Sequence, residues 1–188
     1  MRIVLLSTGV AIWTAMAVYW IFATRRAKGG ALGESNRSRL LHLSLFWFSV
    51  LLALAPGIGP LGERWLPESV GFDAAGLTVQ MGGVALYFWA RAHMGRFWSG
   101  IISSLPDHRL VRGGPYRLLR HPMYAGILAM FLGTAILVGE WRALIALGIV
   151  IGAYSRKIRM EERHLRRIFG EEYAAFAREC RAVIPWMI

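Results

Sequence analysis

Two segments of this 188-residue chain combine residue types that could do chemistry. The first reads Gly113-Gly114-Pro115-Tyr116-Arg117-Leu118-Leu119-Arg120-His121-Pro122-Met123-Tyr124-Ala125-Gly126. It is a basic, glycine-rich loop that runs straight into an apolar stretch. Pro122 suits the first helical turn, where its missing N–H removes no bond. His121 then falls at the N-cap, beside backbone N–H groups without intrahelical acceptors and the positive end of the helix dipole. An anionic group such as a carboxylate would be well held there. The second segment, Arg156 to Gly170, is a charged helical run containing the adjacent pair Glu161-Glu162. Adjacent helical residues project about 100° apart, so only one of the two is expected to face a given site. Plainer readings exist for each. His121 can serve as a cap, Arg117 and Arg120 can anchor to lipid phosphates, and Glu162 can pair with Arg166 at i,i+4 on a solvated helix.

The elements that must position these segments are apolar. Hydrophobic residues make up 56% of the chain and charged residues 18%, with 8 tryptophans, which is too apolar for an ordinary soluble domain of this size. Residues 3–23 carry no charge and are long enough to span a bilayer. A signal peptide is disfavoured because Arg25, Arg26 and Lys28 follow the apolar run. Further spans are expected at about Leu40–Ala55, residues 74–90, Met123–Val138 and Trp141–Ser155. The last two should form a hairpin through Gly139-Glu140. The fifth helix should continue out of the membrane from Arg156 to about Phe169. Gly170 should break it, and a short amphipathic helix around Glu171–Arg181 should follow, ended by Pro185. Thr78 and Gln80 within the third span are expected to bond a neighbouring helix, and Gly148 and Gly152 to allow close helix packing. Residues 57–62, Gly-Ile-Gly-Pro-Leu-Gly, match a dinucleotide fingerprint by letter. No strand precedes them and a proline interrupts them, so a loop is the better reading. The single cysteine, Cys180, excludes an internal disulfide, and the five histidines share no metal-ligand spacing. No bound metal is expected.

The net charge of +11 could suggest nucleic acid, but its distribution argues otherwise. The loop 24–39 holds 5 basic residues, the loop 91–121 holds 6 and the tail from Arg156 holds 8, which is 19 of the 22. Only Arg2, Arg64 and Arg142 fall on the other side. The positive-inside rule then sets the N-terminus outside and the C-terminus in the cytoplasm. The expected protein is an all-α integral membrane protein of about five transmembrane helices, the last extending into a cytoplasmic C-terminal helical segment. It should form one domain over 1–188, with three spans in 1–90 and the chemistry in 91–188. The cell (inner) membrane is its expected location, with no nucleic acid as partner. The near absence of charge inside the spans argues against an ion pathway.

Both polar segments flank the fourth and fifth spans on the cytoplasmic side, where water and lipid meet. Together they resemble the isoprenylcysteine carboxyl methyltransferase family and its relatives among membrane phospholipid N-methyltransferases. The resemblance starts at Arg91-Ala92-His93-Met94-Gly95-Arg96-Phe97-Trp98-Ser99 and continues through His108-Arg109-Leu110-Val111 and the Gly-Pro-Tyr-Arg…Arg-His-Pro-Met-Tyr-Ala-Gly stretch. It resumes at Arg159-Met160-Glu161-Glu162…Leu165…Phe169-Gly170-Glu171-Glu172-Tyr173 and ends at Ile184-Pro185. The N-terminal half matches only as generic membrane helices. The resemblance implies a membrane enzyme that binds S-adenosylmethionine on its cytoplasmic side and methylates a lipid-like substrate. His121 and Tyr124 would belong to the cofactor pocket, lined also by Tyr116 and the backbone near His108 and Leu110. Glu161 or Glu162 would meet the cofactor's ammonium. Phe176 and Cys180 stand where the family carries a tyrosine and an aliphatic residue. A carboxylate acceptor is already ionised at neutral pH and needs no base, but it needs a cation in an apolar site. Arg156 or Arg159 is the candidate for that role. Carboxyl O-methylation of an isoprenylcysteine-like acceptor is the leading reading. Phospholipid N-methylation and an NADPH-dependent membrane reductase of a sterol or acyl chain are the alternatives.

Overall fold

The computed structural model describes residues 1–26, 31–32, 34–57, 59–95, 103–104 and 110–183. Six α-helices account for most of them: α1 (Arg2–Arg26), α2 (Asn36–Leu54), α3 (Val70–Met94), α4 (Pro122–Val138), α5 (Trp141–Phe169) and α6 (Glu171–Glu179). Their boundaries follow local chemistry. Ser35 caps α2 by accepting from Ser38 N at 3.3 Å, and Ser69 caps α3 by accepting from Gly71 N at 3.2 Å. With Asp73 in its first turn and Arg91 and His93 in its last, α3 runs one turn beyond the apolar stretch 74–90 at each end. Gly139 closes α4 in a left-handed conformation (φ 70°) that favours glycine, and α5 begins two residues later. The helix α5 keeps its course across the change from apolar to charged sequence at Ser155. Gly170, also at positive φ (51°), separates α5 from α6. The expected stop at Pro185 lies outside the described residues. Two helical stretches, Arg2–Ala23 and Asn36–Leu54, are long and apolar enough to cross a membrane, whereas α4 has 17 residues. Residues 59–62 form a single 3-10 turn. Ala31 and Leu32 pair antiparallel with Ser104 and Ser103, linking the α1–α2 and α3–α4 connections.

The central element is α4, buried on most of its surface. It crosses α3 with almost no side chain between the backbones. A Cβ on Gly83 would lie 2.5 Å from Gly126 O, and one on Gly76 would lie 2.5 Å from Leu137 N. Gly126 and Gly133 are equally closed by the backbone of α3. Gly148 and Gly152, expected to serve this purpose, instead face open space. Gln80 does bond across helices, donating from Nε2 to Gly9 O of α1 at 3.1 Å. Thr78 does not: its hydroxyl donates to Ala74 O in its own helix at 2.8 Å, because it lies on the exposed side of α3. An aromatic core joins α1, α2 and α4 through Trp13, Phe46 and Phe131, with Trp13 Nε1 donating to Thr134 Oγ1 at 2.9 Å.

At the end of the bundle away from the charged part of α5, three arginines close helix ends. Arg142 is 8% exposed, pairs with Glu140 at 2.7 Å and donates to Leu52 O and Ala53 O, the last carbonyls of α2. Arg64 donates to Val138 O at 3.0 Å at the end of α4. Arg2 pairs with Glu68 and lies 3.5 Å from Asp73 at the start of α3. Arg2, Arg64 and Arg142, the three basic residues that sequence assigns to the less positive side, are all engaged at this end.

Candidate active site

At the opposite end, a short 3-10 turn (Gly114–Arg117) precedes the strand-like residues that lead into α4. These residues are held by the chain emerging from α6. Arg120 N donates to Arg181 O at 2.7 Å and His121 N to Ala182 O at 2.9 Å. The helix α6 itself is held by a small apolar cluster of Tyr173, Phe176 and Cys180, against which Leu110, Leu165 and Phe169 pack. Cys180 donates through Sγ to Arg117 O at 3.3 Å, and Arg112 lies over the Phe176 ring at 5.5 Å. Both departures from the family pattern therefore sit in packing roles beside the loop.

His121 occupies the N-cap of α4 and Pro122 its first position, as the sequence predicts, but the imidazole makes no capping bond. It stacks on Tyr124 instead, with centroids 5.5 Å apart and planes 4° from parallel. This turns both of its nitrogens toward α5. Nδ1 lies 3.7 Å from Glu161 Oε2 and Nε2 lies 3.4 Å from Glu162 Oε1. Tyr124 OH donates to Glu161 Oε2 at 2.7 Å, and Arg120 Nε donates to Glu162 Oε1 at 2.8 Å. Both glutamates thus meet the same loop, contrary to the expectation that one would turn away. The 100° between them is spanned because residues 120–124 wrap the side of α5, with Arg120 reaching one carboxylate, Tyr124 the other, and His121 between. The i,i+4 contact of Glu162 with Arg166 is present too, at 3.9 Å.

The charges here are set by close neighbours. Burial pushes the Glu162 carboxyl upward, but the approach of His121, the Arg120 hydrogen bond and the Arg120 charge outweigh it and hold the group at about 2. Glu162 is therefore ionised at any physiological pH. Burial, with the Glu161 charge adding, raises the Tyr116 phenol, and burial with the Glu162 charge does the same at Tyr173. Both stay protonated.

Of the residues singled out from sequence, the structure joins His121, Tyr124, Glu161 and Glu162 directly. Tyr116 is buried in the turn that precedes them and Leu110 packs on α6. His108 lies outside the described residues. Arg156 is half-buried and donates to Ser38 Oγ of α2 at 2.9 Å, whereas Arg159 is exposed. Arg120 makes contacts that a lipid-anchor role does not require. Besides Glu162 it donates to Ala177 O at 3.0 Å and to Cys180 O, so it ties loop, α5 and α6 together. Arg117 is exposed.

The donor set suits a zwitterion that carries a cation and a carboxylate. Two carboxylates are available to an ammonium. The first turn of α4 offers N–H groups without intrahelical acceptors to an anion. Among the described residues, Tyr173 OH is buried beside the carboxylates without a hydrogen-bond partner, and His121 Nε2, on a residue 6% exposed, has only its 3.4 Å approach to Glu162 Oε1. Orphans of this kind are uncommon unless a ligand or water completes them.

A predominantly helical, membrane-type bundle with its polar cluster at one end of a helical hairpin defines a class, and comparison with known proteins identifies it. The chain belongs to the phospholipid methyltransferase family, whose match covers residues 72–172, more than half of its length. It is similar to a probable protein-S-isoprenylcysteine O-methyltransferase of Oryza sativa subsp. indica, 35% identical over 68% of this chain and 65% of the relative. It is also similar to protein-S-isoprenylcysteine O-methyltransferase A of Arabidopsis thaliana, 32% identical over 77% of this chain and 71% of the relative. The chain thus spans about two thirds of the length of these relatives. In fold it resembles a solved eukaryotic intramembrane Ras methyltransferase, isoprenylcysteine carboxyl methyltransferase, with TM-score 0.57 and 22% identity over 80% of this chain and 51% of that one.

Proposed function

We propose that this protein is an S-adenosylmethionine-dependent methyltransferase that esterifies the carboxylate of an isoprenylcysteine-like amphiphile at the membrane surface. The observation that carries the reading is the convergence of Glu161, Glu162, His121 and Tyr124 at the N-terminus of α4, inside the region matched by the family. The identity to carboxyl O-methyltransferases favours a carboxylate over the phospholipid amine. The glutamate pair, which suits an ammonium, gives no rationale for NADPH.

When bound, S-adenosylmethionine would supply an electrophilic methyl group on its sulfonium. The chain's own residues then have four tasks. Glu161 and Glu162 would hold the cofactor's ammonium, with the Glu162 carboxylate kept ionised by His121 and Arg120. The N–H groups of the first α4 turn, with His121, hold its carboxylate. Tyr124, braced by Tyr154 at 4.9 Å, and the buried Tyr116 wall the pocket and exclude water. Arg156 holds the acceptor's carboxylate; its half-buried position on α5, against Ser38 of α2, suits this better than the exposed Arg159. No general base is required, because the acceptor arrives ionised. Most of the acceleration then comes from alignment.

This reading takes five membrane spans, with the N-terminus outside and the site cytoplasmic in the cell membrane. It is supported by the sequence count that assigns 19 of the 22 basic residues to the connections and tail on one side. Calorimetric titration tests the cofactor. S-adenosylhomocysteine should bind saturably to the purified protein and NADPH should not, and His121→Ala should weaken the former. Binding of NADPH alone would mean a reductase.

A further inference from the structure

A second polar cluster lies between α2 and the charged part of α5, and neither the cofactor residues nor the core explain it. Glu34, just before the cap of α2, accepts from Ser38 Oγ at 2.7 Å and lies 3.5 Å from Lys157 Nζ. The side chains of this pair are 1% and 8% exposed. Arg156 donates to the same Ser38 hydroxyl from its other side. One turn further along α2, His42 is 6% exposed and its Nδ1 has no hydrogen-bond partner among the described residues.

Charge and donor counts do not balance here. Among the described residues, Arg156 and Lys157 bring two positive charges against the one carboxylate of Glu34, which leaves +1. Lys157 has three N–H donors and, among the described residues, one polar contact, at a distance long for a hydrogen bond. Buried cations without full pairing are costly, so an excess of charge and donors built from buried and half-buried groups is a site for an anion.

Its surroundings say which anion. The edge of His42 meets Tyr154 at 4.9 Å, and Tyr154 meets Tyr124, the partner of Glu161, at 4.9 Å. The cluster therefore lies two aromatic rings from the candidate methyl-donor pocket. Phe46, four residues beyond His42 on the same face of α2, lines an apolar groove with Trp20 and Ile127. An anion joined to a long apolar tail matches both features.

We propose that Ser38, His42, Arg156 and Lys157 form the subsite that receives the acceptor's carboxylate, with Glu34 as the fixed counter-charge that leaves one positive charge unspent. The proposal rests on the methyltransferase reading and adds the α2 side of the site to it. Removing either cation brings the cluster to zero charge, so Arg156→Gln and Lys157→Gln should have the same consequence.

The test titrates S-farnesylcysteine N-acetylated at its amine, and the carboxamide of the same compound, into full-length protein saturated with S-adenosylhomocysteine. The wild type should bind the carboxylate about tenfold tighter than the carboxamide, the magnitude of one charged hydrogen bond. Arg156→Gln and Lys157→Gln should bind the two compounds within about twofold of each other while keeping wild-type affinity for S-adenosylhomocysteine. Lys157→Gln breaks a buried pair; if it does not fold, Arg156→Gln, which leaves that pair intact, decides. A carboxylate preference retained in Arg156→Gln, or in folded Lys157→Gln, overturns the subsite. A wild type that binds S-adenosylhomocysteine but does not prefer the carboxylate overturns the subsite alone. Failure to bind S-adenosylhomocysteine overturns the methyltransferase reading beneath it.

Discussion

Replacing Glu161 and Glu162 together by glutamine lowers affinity for S-adenosylhomocysteine about 100-fold, as expected when a buried charge pair loses one partner. The protein should still fold. Arg120 keeps its bonds to Ala177 O and Cys180 O, and the backbone bonds of Arg120 and His121 to residues 181 and 182 are untouched. Glutamine preserves the shape of each side chain and can still accept from Tyr124 and Arg120. What disappears is the negative charge available to the ligand's ammonium. Calorimetry on the double variant reads the affinity, and a thermal melt reads the fold. Unchanged affinity would remove the glutamates from the cofactor site.

The second large effect is on stability and is confined to the α3–α4 crossing. Gly83→Ala puts a methyl group 2.5 Å from Gly126 O and 2.7 Å from Met130 N. These are backbone atoms of a packed helix and cannot swing aside. The two helices must separate, at a cost of about 3 kcal/mol. Gly133→Ala, against the backbone of Gln80 and Gly76, should behave alike. Gly148→Ala and Gly152→Ala should leave stability unchanged or raise it by about 0.5–1 kcal/mol, since a methyl there meets nothing within 4 Å and alanine favours the helix. Thermal melts of the four variants in one detergent separate the two classes. Equal behaviour would mean that the crossing is not packed through its glycines.

These glycines show where sequence reading stops. Gly76 and Gly83, and Gly126 and Gly133, recur at seven-residue spacing, yet Gly148 and Gly152 carry the more familiar small-xxx-small signature. Spacing reports that one face of a helix is small. It does not report whether another helix lies against that face. By contrast, the turn at His121-Pro122 was legible because proline fixes its own backbone and removes a donor. The continuity of α5 past Ser155 was legible because helical periodicity does not depend on whether its residues are apolar or charged. The pairing of both glutamates with one loop was not, since their 100° separation is a property of α5 alone and the wrap of residues 120–124 comes from bonds to residues 181–182. The second polar cluster left one trace, Glu34, the sole acidic residue in the basic connection 24–39. Its partner Lys157 lies 123 residues away, and only the packing of α2 on α5 joins them.

The most direct measurement follows the methyl group. Purified protein in lipid is incubated with S-adenosylmethionine labelled in its methyl group, together with N-acetyl-S-farnesylcysteine, its carboxamide and phosphatidylethanolamine, and products are read by mass spectrometry. The label should appear as a methyl ester on the free carboxylate of the farnesylcysteine and on neither other compound. Label on the phospholipid amine would contradict carboxyl methylation, and absence of label from every acceptor, in a protein that binds S-adenosylhomocysteine, would contradict the proposed acceptor class.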